Sequence, residues 1–174
     1  MGTIQALDYK VTKPNAAQVA MQHIAATRAG AWFFARTLDH VDRALLRLTG
    51  GQVTLPGVVA GLPVLTVTTT GARTGRRRPA PLLGVPAGDD IAVLGTSFGQ
   101  PRTPAWYHNM RAHPEVELTY RDKTVKAIAR EAAEEERRVI WDRARTIYPG
   151  YQAYAGRIKN RQIHIMILGT GEPP

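Results

Sequence analysis

The chain contains no cysteine, which removes disulfides, thiolate nucleophiles, thiolate zinc sites and iron–sulfur clusters together. It also lacks any apolar run approaching the roughly 20 residues of a membrane-spanning helix, and no secretory leader pattern opens it. A cytoplasmic protein is expected. Acidic residues are scarce: 14 stand against 23 Lys and Arg, for a formal net charge of +9 over 174 residues. An excess of this size implies an anionic partner, whether nucleic acid, acidic lipid or a phosphorylated or carboxylated ligand. The five histidines form no metal-ligand set. His108 and His113 are badly spaced and His164 falls in an apolar stretch, so no metal is expected. There is no Gly-x-Ser-x-Gly elbow and no Ser placed beside a His, which leaves serine-hydrolase chemistry without a seat.

What is present is enough for one domain with a real core, since 44% of residues are apolar and the length lies near the usual domain size. Residues 16–48 read as helical, with Phe34, Leu38, Val41, Leu45 and Leu48 at helical spacing and Gly50–Gly51 as the stop. The mixed charges beside that stripe favour packing on the domain or a second subunit, with membrane-surface docking through residues 31–48 as the alternative. Leu62–Thr70 reads as a strand. Two more follow in "RPAPLLGVPAGDDIAVLGTS", joined at Ala87–Asp90, and Pro79, Pro81 and Pro86 push the first toward a sheet edge. A short helix is expected from an N-cap at Thr103 to the stop at Pro114. Then come a hairpin turning near Asp122–Lys123, a helix over Ala133–Ile147 and a last strand at Ile163–Leu168. Six strands, mostly hairpin-linked, argue for an antiparallel barrel-like sheet and not a doubly wound parallel one.

Three stretches could carry chemistry. "GARTGRRR" departs from a phosphate-binding P-loop in its glycine spacing and lacks the Lys-Ser/Thr ending. It remains a glycine-rich turn followed by guanidiniums, able to hold an anion or simply to be solvated. The helix after "GTSFGQPRTP" carries Trp106 and Asn109 three apart: an indole to cover a flat ring and an amide to bond its edge, or two packing residues. "YPGYQAY" spaces Tyr148, Tyr151 and Tyr154 by threes, either a line of proton-donating phenols or an aromatic packing stripe.

Together, "TTTGARTGRRRPAPLL", "TPAWYHNMRAHPEVEL" and "YPGYQAY" resemble the deazaflavin-dependent nitroreductases and quinone reductases, over about Leu62–Leu168. The resemblance implies an α+β split β-barrel with peripheral helices, an N-terminal lead-in over residues 1–60 packed on it, and a deazaflavin-binding domain over 61–174. It implies coenzyme F420, an 8-hydroxy-5-deazaflavin with a phospholactyl and polyglutamate tail. Arg73, Thr74 and Arg78 would clamp the tail. Pro81, Leu82 and Leu83 would present strand backbone to the ring, Thr96 and Ser97 would begin the loop around the ribityl region, and Trp106 and Asn109 would lie beside it. Tyr148, Tyr151 and Tyr154 would line the substrate side, with Tyr151 the first choice as proton donor. Leu83 stands where a well-studied member of the family carries a tyrosine, so acceptor preference is expected to differ there. The implied reaction is hydride transfer to a small-molecule acceptor such as a quinone, nitroaromatic or enone.

Two other readings follow from the residues. An FMN oxidoreductase would use the arginines for a terminal phosphate, and a basic nucleic-acid-binding module would use the charge with Trp and Tyr stacking. Against the second, the basic residues crowd one turn instead of tracing a tract, so no nucleic acid is expected. A monomer and a homodimer are both compatible with the pattern, and the expected location is cytoplasmic or peripheral to the inner membrane face.

Overall fold

A computed structural model of the chain describes residues 1–32 and 61–171. Six antiparallel strands close into a barrel in the order β1-β2-β3-β6-β5-β4: β1 Val64–Thr70, β2 Arg77–Ala87, β3 Asp90–Leu94, β4 Glu115–Tyr120, β5 Lys123–Glu131 and β6 Ile165–Gly169. Helices α1 Thr3–Leu7, α2 Ala16–Ala26, α3 Ala105–Ala112, α4 Glu134–Ile147 and α5 Gly150–Arg157 lie around it. This is the α+β barrel that the strand pattern and the resemblance implied.

The two-residue period of the strands divides the core into an inner and an outer layer. Ile91, Val93, Met166 and Leu168 point into the barrel with Leu65, Val67 and Leu118. Their neighbours Ala92, Leu94, Ile165 and Ile167 point outward and are covered by Ile140 and Ala144 of α4 and the tyrosines of α5. Both faces of β3 and β6 are therefore buried, which is why their sequences read as unbroken apolar runs.

β2 holds the structural key. Its first half, Arg77–Leu83, pairs with β1, and its second half, Gly84–Ala87, pairs with β3. The chain leaves β3 at Leu94, so the side of Arg77–Leu83 that faces away from β1 has no strand partner among the described residues. The N–H of Gly84 donates to the Pro63 carbonyl (3.2 Å); even-numbered residues thus face β1, and Pro79 and Pro81 turn their missing N–H toward the open side. The proline edge signal applies to half of the strand and is cancelled in the other half by barrel closure. Gly84 sits at the changeover because nothing larger fits: a Cβ there would meet the Tyr9 hydroxyl at 2.4 Å. That hydroxyl donates across the Pro63 (2.5 Å) and Gly84 (2.8 Å) carbonyls.

Several boundaries differ from expectation. The N-terminal helix does not run unbroken from Ala16, because Thr27 interrupts it. Its Oγ1 donates to Ile24 O (2.7 Å) and accepts from Gly30 N (3.0 Å), ending α2 and capping a new helical segment at 28–32. The apolar stripe from Phe34 to Leu48, and with it most of the surface suggested for membrane contact, lies outside the described residues. α1 was not anticipated. It plugs one barrel end, where Thr3 Oγ1 donates to Leu168 O (2.9 Å) and accepts from Ile91 N (3.0 Å). Thr103 does not cap α3; Pro104 holds that position without a side-chain bond. The β4–β5 turn is Arg121–Asp122, with Arg121 left-handed at φ 55°. β6 starts at Ile165, two residues after the predicted Ile163; just before it the His164 carbonyl accepts from Gly95 N (2.8 Å) and its ring meets Glu131 (Nδ1···Oε1 2.8 Å).

Candidate active site

The open edge of β2 forms one wall of the site. Continuing the β2–β3 register would bring Gly95–Ser97 opposite Leu82–Ala80, but the chain turns away there and runs to α3. Arg161 holds this departing loop through Nη1 to Gly95 O (2.8 Å), Nη2 to Thr96 O (3.1 Å) and Nε to Gln100 O (3.1 Å). Burial pulls its guanidinium below the usual arginine range. Pro81, Leu82 and Leu83 are half-buried along the edge, Ser97 is half-buried and Thr96 is buried. The residues expected at the ring and the ribityl region thus lie on the β2 edge and on the clamped loop that leaves β3.

At the end of that edge stands the basic turn between β1 and β2. Its backbone is closed by Gly71 N to Arg76 O (2.8 Å), Thr74 N to Gly71 O (3.1 Å) and Gly75 N to Gly71 O (2.8 Å). Gly75 is left-handed at φ 62°, the conformation that glycine alone adopts at no steric cost. Arg73, Thr74, Arg76, Arg77 and Arg78 are all exposed. Arg77 is paired with Glu117 (2.6 Å), whereas Arg73, Arg76 and Arg78 have no carboxylate partner among the described residues. Three guanidiniums of the turn thus face solvent.

The short helix turns both of its candidate residues into the interior. Trp106, 8% exposed, is packed in the barrel core in one cluster with Tyr107 and Met110. Asn109 spends both ends of its amide on the basic turn: Oδ1 accepts from Ala72 N (3.0 Å) and Nδ2 donates to Thr69 Oγ1 (2.9 Å). Thr69 Oγ1 in turn donates to Arg78 O (3.3 Å). Asn109 braces the basic turn from behind, and the buried Trp106 lies on the helix that carries it.

The tyrosines pack as one cluster on the outer face of the sheet, beside Leu83 and Phe98. Tyr148 and Tyr154 share a hydrogen bond (2.9 Å), and Tyr154 donates to Ala25 O (3.1 Å). Tyr151 is 4% exposed, wedged against Tyr148 (5.6 Å between ring centres) and Trp141 (6.3 Å), and its hydroxyl has no hydrogen-bond partner among the described residues. Burial raises all three phenols above the ordinary tyrosine value. Tyr148 stops α4 and Pro149 starts α5, as the spacing implied.

Two groupings escaped the sequence reading. Ser97, Phe98 and Gly99 are successive left-handed residues (φ 46°, 56° and 81°), a strain of about 1–2 kcal/mol for each non-glycine residue; no local sequence signal marks it. The other joins His164, stacked on Tyr107 at 3.9 Å, to Glu131 and to Arg111 through Tyr107 (Arg111 Nη1 to Tyr107 Oη 3.1 Å; Tyr107 Oη to Glu131 Oε2 3.2 Å). Burial alone would raise the Glu131 carboxyl, but the bonds from His164 and Tyr107 and the Arg111 charge bring it below its usual value. Its members are scattered over three elements, so only folding unites them.

A strand edge, a clamped loop and a basic turn lie together on a closed six-stranded antiparallel barrel. The particular family follows from comparison with known proteins. A profile of the F420H2-dependent quinone reductases matches residues 40–170, and the chain belongs to that family. An F420H2-dependent quinone reductase of Mycobacterium tuberculosis is 38% identical over 88 residues, 45% of this chain and 57% of the relative. This chain therefore spans little more than half the length of the curated relatives it matches. A solved structure described as an F420-H2 dependent reductase, FDR-A, is 36% identical with a TM-score of 0.56, covering 61% of this chain and 93% of the other. A second, described as a domain-swapped dimer, is 35% identical with a TM-score of 0.57, covering 75% and 97%.

Proposed function

We propose that the protein is a deazaflavin-dependent reductase that transfers a hydride from reduced coenzyme F420 to an electron-poor acceptor such as a quinone. The observation that carries this reading is the pairing of an open β2 edge with three carboxylate-free guanidiniums at its end, in a chain of the F420H2-dependent family. The donor set fits the coenzyme: planar two-pronged cations suit a phosphate and carboxylate tail, and exposed strand backbone suits the polar rim of a flat ring.

In this reading Arg73, Arg76 and Arg78 hold the tail, with Thr74 closing the turn. Pro81–Leu83 supply backbone and apolar contact, and the Thr96–Ser97 loop lies opposite. The coenzyme supplies the hydride; the chain orients the acceptor and excludes water. A quinone that accepts a hydride needs one further proton to become a hydroquinone. Tyr151 is assigned to that oxygen. Because burial opposes its ionisation, it acts foremost as a hydrogen-bond donor to the oxygen gaining charge, with Tyr148 and Tyr154 fixing its surroundings. A homodimer is favoured over a monomer by the dimeric relative, which light scattering decides.

The test is a titration of the purified protein with coenzyme F420 and, in parallel, with FMN, following tryptophan fluorescence at low and moderate salt. Saturable micromolar binding of the deazaflavin alone is the expected result. Binding of FMN alone keeps the barrel and replaces the coenzyme.

A further inference from the structure

Next to the tyrosine cluster lies an open pocket of about 540 Å³, within the size range of small-molecule sites. Its walls are the helical segment carrying Arg28 and Trp32, the strained loop from Phe98 to Pro101, and the end of α5 with Arg157 and Lys159. Aromatic surface and cations of one sign meet here, and no Asp or Glu lines it among the described residues.

The cations are not equivalent. Arg157 is held in place: its guanidinium lies 5.6 Å over the Tyr154 ring and donates to Ala26 O. Gly99 makes this placement possible, because a Cβ there would touch the Arg157 side chain at 3.1 Å. Arg28 and Lys159 carry no ion pair among the described residues. The left-handed pair Ser97–Phe98 swings Phe98 edge-on to Tyr154 (5.8 Å), so it forms the pocket wall nearest the tyrosines. Trp32, 62% exposed, stands at the rim. Strain maintained in a loop that aims an aromatic wall at a site is commonly tied to binding.

We infer that this pocket binds a planar aromatic anion, and that the acceptor of the enzyme is an aromatic carrying a carboxylate, sulfonate or phosphate. Aromatic walls take the ring, Arg157 provides a pre-positioned guanidinium, and Arg28 and Lys159 provide charge that favours an anion over its neutral isostere. The assignment as acceptor rests on the reductase reading; the binding does not.

The experiment is therefore run without coenzyme. Isothermal titration compares anthraquinone sulfonate with uncharged hydroxymethyl anthraquinone on wild type, Arg28→Glu, Lys159→Glu and Lys159→Gln. Arg138→Glu, an exposed change on α4, serves as a charge-matched control. The expected result is saturable, salt-sensitive binding that prefers the sulfonate roughly tenfold, the scale of one hydrogen bond to a charged group. Arg28→Glu and Lys159→Glu should lose that preference, Lys159→Gln should lose part of it, and Arg138→Glu should keep it. Equal affinity for both compounds, or an equal loss in Arg138→Glu, overturns the proposal. So does weakened coenzyme binding in Arg28→Glu and Lys159→Glu with the sulfonate preference intact, because the pocket would then serve the coenzyme tail. Failure of the wild type to bind coenzyme F420 removes the reductase reading and leaves the sulfonate result standing on its own.

Discussion

The side-chain amide of Asn109 is bonded at both ends to the basic turn, to the Ala72 N–H at 3.0 Å and to Thr69 Oγ1 at 2.9 Å. A residue on α3 thus fixes the shape of the loop that presents Arg73, Arg76 and Arg78. Because Asn109 is 9% exposed, Asn109→Ala leaves the buried Thr69 hydroxyl without its donor and the Ala72 N–H without its acceptor. A loss of about 1–3 kcal/mol in unfolding free energy is expected, with coenzyme affinity falling in the same variant. Urea denaturation and the coenzyme titration check the two effects. Unchanged coenzyme affinity at reduced stability would separate Asn109 from the anion turn.

The four arginines of the turn should not behave alike. Arg77 already faces Glu117, so Arg77→Ala is expected to weaken coenzyme binding less than Arg73→Ala or Arg78→Ala. The two larger losses should shrink as salt rises, since solvated guanidiniums act through screened charge. Equal losses at all three positions would remove the distinction.

Tyr151→Phe isolates a hydroxyl that has no partner among the described residues. Stability should hold or rise slightly, because no hydrogen bond is broken and a buried polar group is removed. Turnover on quinones should fall while coenzyme affinity stays unchanged. Tyr154→Phe removes the bonds to Tyr148 and Ala25 and is expected to cost about 1 kcal/mol. Full turnover by Tyr151→Phe on every acceptor tried would sink the assignment.

The buried phenols predict an alkaline limit. Tyr9, Tyr148, Tyr151 and Tyr154 have folded-state values raised above 10 by burial. A raised group contributes stability in full below its unfolded value and loses it as pH climbs toward the folded value. Stability should therefore decline above about pH 10, with these four phenols ionising only as the protein unfolds. Absorbance at the phenolate band, followed alongside circular dichroism, checks it; early ionisation of all tyrosines in a folded protein would contradict the burial.

At the acid end Glu136 is the marker. Its bidentate pair with Arg130 (2.7 and 2.6 Å) leads the causes that lower its carboxyl to about 2. A depressed carboxylate stabilises above its unfolded value and loses that contribution as pH falls through the folded one, so the window runs from about 4.5 down to about 2. Since the pair is largely solvated, the effect is small. Glu136→Gln should flatten the acid limb of a thermal-melt series over that window without changing the neutral value greatly.

Much of this was legible in the chain itself. Two-residue alternation and turn residues marked the strands, and local chemistry marked α4, where Glu136 reaches back to the Ala133 N–H at 2.8 Å. The ordered motifs "GARTGRRR", "AWYHN" and "YPGYQAY" marked the candidate residues, because adjacent residues in a turn or one helical face stay adjacent on folding. Local pattern could not tell that Trp106 faces the core while Asn109 faces the turn, nor that Thr27 would end α2.

The sequence by itself determined the strands, the excess positive charge and the cluster of guanidiniums, since each depends on neighbours along the chain. Only the tertiary structure decided which arginines stay unpaired among the described residues, that β2 changes partner at Gly84, that Arg161 holds the departing loop, and that Arg28, Phe98 and Lys159 line one open pocket. Those facts depend on contacts between residues far apart in sequence, which barrel closure creates and no local spacing records.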